Sequence, residues 1–151
     1  MKKKVLYFSD SRFPLAAVAG AIHTGIMPEK GYPGEEELKR LHFLRQRRNG
    51  KGNILFLGND GPEQAVYALW VKGQTGWVLR LVHSFLAVYR IPPGQFQLVN
   101  SGLKDNGFLT AGYYIHRLPL LAPIGLYLVH LGLKKEYGRL VELVRRVKSA
   151  G

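Results

Sequence analysis

Short apolar runs separated by polar turns divide this chain into alternating strand-like and helix-like stretches. Val5–Phe8 (VLYF) is a continuous apolar run closed by the polar turn Ser9–Arg12, the pattern of a buried strand. Leu15, Val18 and Ile22 then recur at helical spacing and predict a first helix over Phe13–Thr24, with Gly25 suited to its C-terminal cap and Pro28 barring continuation. Ala16, Ala17, Ala19, Gly20 and Ala21 leave it little side chain, so it can lie flat on a sheet. A glycine in mid-helix costs about 1 kcal/mol relative to alanine, which places Gly20 where helix and sheet approach closely.

Pro33-Gly34 opens a second predicted helix, Glu35–Leu44, with acids in its first turn and bases behind them. Asn53–Leu57 and Gln64–Val71 are β-rich runs whose spacing suits an antiparallel hairpin. Trp77–Arg90 reads as a third helix with Val78, Leu81, Phe85 and Tyr89 facing inward, stopped by Pro92-Pro93. Gln95–Asn100 alternates like a strand, Asn106–Leu118 reads as a helix, and Ile124–His130 reads as a fifth strand. The closing helix, Lys134–Lys148, carries Tyr137, Leu140, Val141, Val144 and Val147 on one face. The alternation predicts a single α/β domain over residues 1–151. Its expected form is a three-layer sandwich, a mixed five-stranded sheet with helices on both faces.

Charge changes the picture. The chain has 22 Lys+Arg against 10 Asp+Glu, a formal net charge of +12. Lys39, Arg40, Arg45, Arg47, Arg48 and Lys51 fall together with no acid between Glu37 and Asp60, and a second basic group runs from Lys134 to Lys148. Arg45, Arg47, Arg48 and Lys51 are therefore candidates for binding nucleic acid or another polyanion through phosphate contacts; a solvated basic surface is the plainer alternative. The absence of cysteine excludes disulfides, thiolate metal sites and cysteine nucleophiles, and agrees with a reducing cytoplasm. The most apolar segment, Leu118–Leu133, is interrupted by Pro119, Pro123 and Gly125 and falls short of the ~20 residues a spanning helix needs. A cytoplasmic protein without membrane contact is expected.

Candidate chemistry follows from topology. In open α/β sheets, ligands bind beyond the C-terminal ends of parallel strands, where helix N-termini present free N–H groups. If the strands at Val5–Phe8, Gln95–Asn100 and Ile124–His130 are parallel, that edge gathers Ser9, Asp10, Ser11 and Arg12 with Asn100, Ser101 and His130. Arg12 and the helix N-terminus would favour a small anion, such as a phosphate-bearing ligand. Each residue also has a structural role open to it: Ser11 or Asp10 as a helix cap, Arg12 as a surface side chain, His130 as a packed ring. His23 is placed to pack or to cap carbonyls. No Walker A loop, G-x-G-x-x-G, nucleophile elbow or metal-ligand spacing is present, so no catalytic residue, cofactor or metal is assigned.

Ser11–Ala16 (SRFPLA), after a hydrophobic strand, is similar to the C-R-S-P-M-A stretch of low-molecular-weight protein tyrosine phosphatases. Their nucleophile is a cysteine, which this chain lacks, so the resemblance implies at most an anion-cradling loop. The chain also resembles an uncharacterised bacterial family known only as a domain of unknown function. The matching pieces are Val5–Phe8, Ala19–Pro28 (AGAIHTGIMP), Ile54–Asp60 (ILFLGND) and the region of Lys135-Glu136-Tyr137. The resemblance spans nearly the whole chain, but Asp10–Pro14 stands where the family carries Gly-Gly and His. It implies an α/β fold and no activity. Three functions remain open: a small-anion binder, a polyanion binder, and an interaction or scaffold domain without a ligand. Whether the chain is an enzyme, and its oligomeric state, stay open.

Overall fold

The unbroken apolar run at the N-terminus predicts a strand buried on both sides, and it lies at the centre of the sheet. The structure, a computed structural model, describes residues 3–39, 54–71, 73, 75–102 and 104–151. Four strands form one mixed sheet in the order β2-β3-β1-β4. The central β1 (Lys3–Ser9) runs parallel to β3 (Gln64–Trp70), with Lys3 opposite Gln64 and Ser9 opposite Trp70. On its other side β1 pairs in parallel with β4 (Phe96–Asn100). The expected hairpin is present: β2 (Leu55–Asp60) pairs antiparallel to β3, with an irregularity between Phe56 and Gly58. Val5, Leu6, Tyr7 and Phe8 are all buried, as a central parallel strand requires.

The first helix, α1 (Leu15–His23), is buried along its entire length. A Cβ on Gly20 would collide with Leu57 Cδ1 and lie 3.4 Å from Val66 Cγ1, so this glycine marks the close approach of helix to sheet. Among the described residues four more helices follow: α2 (Glu35–Lys39), α3 (Thr75–Val88), α4 (Gly107–His116) and α5 (Ala122–Ala150). The second predicted helix extends beyond α2 into residues 40–44, outside the described ones.

Two expectations are corrected. Ile124–His130 is not a fifth strand; it lies inside α5, and the sheet has four strands. A short apolar run reads equally as strand or helix by periodicity. Here helix packing decides: a Cβ on Gly112 would meet Val129, and one on Gly125 would meet the His116 backbone. One on Gly132 would meet Leu109. The missing side chains let α4 and α5 lie backbone to backbone. The inward stripe predicted for the third helix also fails at Leu81 and Tyr89, which are exposed, while Leu79 packs toward the sheet.

The main core joins β1, β3 and β4 to α1 and to the second half of α5 through Val5, Tyr7, Val66, Val99, Leu140 and Val144. The predicted face of the closing helix is buried as expected, from Tyr137 to Val147. On the opposite face, among the described residues, Leu6, Phe8 and Leu69 form a small buried cluster flanked by half-buried Tyr67, Leu79, Phe96 and Leu98. A complete third layer does not follow from these contacts. Among the described residues no helix is long and apolar enough to cross a membrane.

Candidate functional site at the β1–α1 turn

Beyond the last residue of β1 the sheet hydrogen bonding runs on into three connections. The Val71 N–H donates to the Ser9 carbonyl at 3.1 Å, and the Ser101 N–H to the Phe8 carbonyl at 3.0 Å. These bonds draw the β3–α3 and β4–α4 connections toward the β1–α1 turn. Ser9–Arg12, Asn100 and Ser101 thus gather at one edge, as the parallel-strand rule predicts.

Within the turn, each serine hydroxyl is already used. Ser9 and Ser11 are fully buried, with their oxygens 2.8 Å apart. The Ser11 hydroxyl donates to the Phe13 carbonyl at 2.5 Å, so the Ser9 hydroxyl supplies the proton between the two serines. Ser9 Oγ in turn accepts from the Ala16 N–H at 3.3 Å. Neither Ser11 nor Asp10 caps α1; Pro14 stands at the cap, and Ser9 satisfies a first-turn N–H from the end of the strand. Asp10 Oδ1 accepts from the Gly73 N–H at 2.7 Å and ties the turn to the β3–α3 connection. Asn100 Oδ1 accepts from the Gly102 N–H at 2.9 Å and shapes its own loop.

The free donors of the turn face a carboxylate that sequence reasoning missed. Asp105 reaches in from the β4–α4 connection, accepting from the Arg12 N–H at Oδ2 (2.6 Å) and from the Phe13 N–H at Oδ1 (3.0 Å). Two adjacent backbone donors gripping both oxygens of one carboxylate form a nest for an oxyanion, set at the positive end of α1. Exposed Arg12 lies at its rim, with Nη1 donating to the Tyr114 hydroxyl at 2.8 Å and the guanidinium 5.7 Å from that ring's centre. An isolated aspartate in a loop carries no pattern. Its one legible signal was its place just past the end of β4, on the same edge as Asn100 and Ser101.

His130 is not at a strand end. It lies within α5, where its ring meets Tyr32 edge-on at 4.9 Å and its carbonyl accepts from the Tyr32 hydroxyl. Arg45, Arg47, Arg48 and Lys51 lie outside the described residues.

A second polar cluster surrounds His23 at the end of α1. The Tyr7 hydroxyl lies 2.7 Å from His23 Nδ1, and His23 Nε2 is 3.1 Å from Asp60 Oδ2. Burial lowers the His23 pKa, and the Asp60 charge opposes that shift. Burial, with a smaller push from Asp60, holds the Tyr7 hydroxyl far above the usual tyrosine range. Both groups are thus neutral near pH 7, and both rings are sealed in the core, which fits the packing role expected for His23. Among the described residues no group of three or more metal-ligating side chains could hold an ion.

Residues 4–149 match the family described as Protein of unknown function (DUF3189), and the chain belongs to that family. No curated protein and no solved structure matches it. None of these findings supports the likeness of Ser11–Ala16 to the phosphatase loop.

Proposed function

We propose that this member of the family binds a small phosphate-bearing ligand at the β1–α1 turn, in the place that the Asp105 carboxylate occupies. The observation that supports this reading is the paired grip of the Arg12 and Phe13 N–H groups on the two oxygens of Asp105. A phosphate presents two oxygens in the same way, carries more charge, and gains more from the helix N-terminus. Arg12, exposed at the rim, offers a fork of donors to the remaining oxygens. Asp105 acts as a tethered competitor, so the apparent affinity of any ligand is reduced by the fraction of molecules in which it still holds the nest.

Titration calorimetry of the full chain with inorganic phosphate, a nucleoside monophosphate and a sugar phosphate tests this. Asp105→Asn, which keeps the shape and removes the competing charge, is expected to bind at least one of them roughly ten-fold more tightly than the wild type. Arg12→Ala is expected to weaken that binding. If none of the three binds to Asp105→Asn, the contact is only a tie between two loops and the reading fails.

A further inference from the structure

The cap that ends α3 is built on a residue ill suited to it. The Ile91 N–H donates to the Leu86 carbonyl at 2.9 Å and the Arg90 N–H to the Ala87 carbonyl at 3.2 Å, a pairing that needs a left-handed residue at position 90. Glycine takes that backbone without strain. Arg90 stands there instead, at φ 52°, and no other described non-glycine residue has a positive φ. A cation near a helix C-terminus gains from the dipole, yet one inside the last turn would gain as much with an ordinary backbone. The strained position gives the guanidinium a particular place. His83, Leu86 and Ala87 share one side of α3, at i, i+3 and i+4, and Arg90 follows just past its end. Opposite them stand Phe96 and Leu98, alternate residues on one face of β4. With Ile91 these residues line a hollow of about 460 Å³, a volume typical of small-molecule sites.

We propose that this hollow binds a small carboxylate with a single apolar chain, its carboxylate paired with Arg90 and its chain laid against Leu86, Ile91, Phe96 and Leu98. Those four side chains are each half-buried, so the walls are apolar, while Arg90 and His83 are exposed at the mouth. No Asp or Glu occurs between Glu63 and Asp105, and no described side chain pairs with the Arg90 guanidinium. Its charge is therefore uncommitted. A guanidinium presents a planar fork that matches the two oxygens of a carboxylate, and His83 can add a ring N–H. The apolar walls exclude a bare inorganic anion, which would leave them wet, and the single cation matches one negative charge. The hollow lies at the first residues of β4, the opposite end of the strands from the β1–α1 turn, so it is separate from the phosphate site proposed there.

Titration calorimetry of the full chain with octanoate, at about pH 8 where the carboxylate is ionised, is expected to show saturable one-to-one binding. Octanol, the same chain without the charge, is expected to bind roughly ten-fold more weakly. Ala87→Trp, at an exposed position on the lining, fills the hollow and is expected to abolish octanoate binding with an unchanged far-ultraviolet spectrum. Arg90→Gly relieves the left-handed backbone, so the melting temperature is expected to hold or rise while octanoate affinity falls roughly ten-fold. Arg90→Asn, which also tolerates that backbone, is expected to show the same loss. Asp105→Asn, at the other end of the strands, is expected to leave octanoate binding unchanged. Absence of saturable octanoate binding, equal affinity for octanol, or undiminished affinity in both Arg90 variants overturns the inference. So does octanoate binding that changes in Asp105→Asn and survives in Ala87→Trp, which would place the ligand at the β1–α1 turn.

Discussion

The two faces of the sheet differ in how their helices approach. On one face α1 brings Ala16, Ala17, Ala19, Gly20 and Ala21, comes close, and is buried throughout. On the other, α3 brings large apolar side chains, yet Trp77, Leu81 and Val88 remain exposed, while Leu79, among the described side chains, packs toward the sheet. Apolar content is thus not what seals a face. Small residues allow near contact between backbones, and near contact gives a dense, dry layer. The β1–α1 turn belongs to the sealed side, which is where a site needing fixed donors gains from rigid support.

The contrast breaks most visibly at Leu140 and Leu81. Leu140→Ala empties a fully buried position behind α1 and is expected to cost about 2–5 kcal/mol, whereas Leu81→Ala is expected to stay within about 0.5 kcal/mol. Urea denaturation of both variants measures the difference. Equal losses would mean that α3 is as tightly packed as the layer of α1 and α5.

Removing the clamp at the turn ranks next. Asp105→Ala leaves the Arg12 and Phe13 N–H groups without their acceptor and is expected to cost about 1–3 kcal/mol by the same measurement. Glycines on the two helices should respond with opposite sign. Gly20→Ala must displace Leu57 and is expected to destabilise by about 1 kcal/mol; Gly76→Ala has open space and is expected to stabilise by up to about 1 kcal/mol.

A smaller effect depends on pH. His23 has its pKa lowered in the fold, so between that value and about 6.5 the unfolded chain binds the proton more readily, and stability falls as pH drops through this window. His23→Gln keeps a partner for Tyr7 and removes the titration. Its melting temperature is expected to fall less than that of the wild type between about pH 7.5 and pH 5.5. Matching slopes would show that His23 does not titrate differently on folding. The mildest probe changes no residue: Trp70 is 2% exposed and Trp77 is 79% exposed, so acrylamide should quench a red-shifted fraction of the fluorescence and spare a blue one.

Much of this was legible in the sequence, for identifiable reasons. Val5–Phe8 read as a buried strand because four apolar residues stand in a row between Lys4 and the polar turn Ser9–Arg12. Gly20 announced its close contact because nothing else justifies glycine inside a helix. Ile124–His130 misled because its β-branched and aromatic residues suit a strand, while the decisive signal was Gly125 and Gly132 spaced seven apart with Pro123 at the helix start. At the candidate site, parallel pairing brought Ser9–Arg12 together with Asn100 and Ser101 as expected. The hydrogen bonds that employ the serines could not be read from sequence, because they depend on how the backbone closes. Asp105 sits in sequence far from the turn it fills, and only the fold joins them.

The central place of β1 also governs the order in which the molecule can assemble. Lys3 pairs with Gln64, and Lys4 pairs with Phe96, so the middle strand is synthesised well before either neighbour. Parallel pairing at such separations gives a high contact order, which slows the search for the native topology. During translation α1, apolar and short of polar cover, must wait for β3 before its sheet exists. A ribosome stalled before residue 64 would therefore present an adhesive, unfinished half-core, and this chain is expected to draw on chaperones during synthesis more than after release.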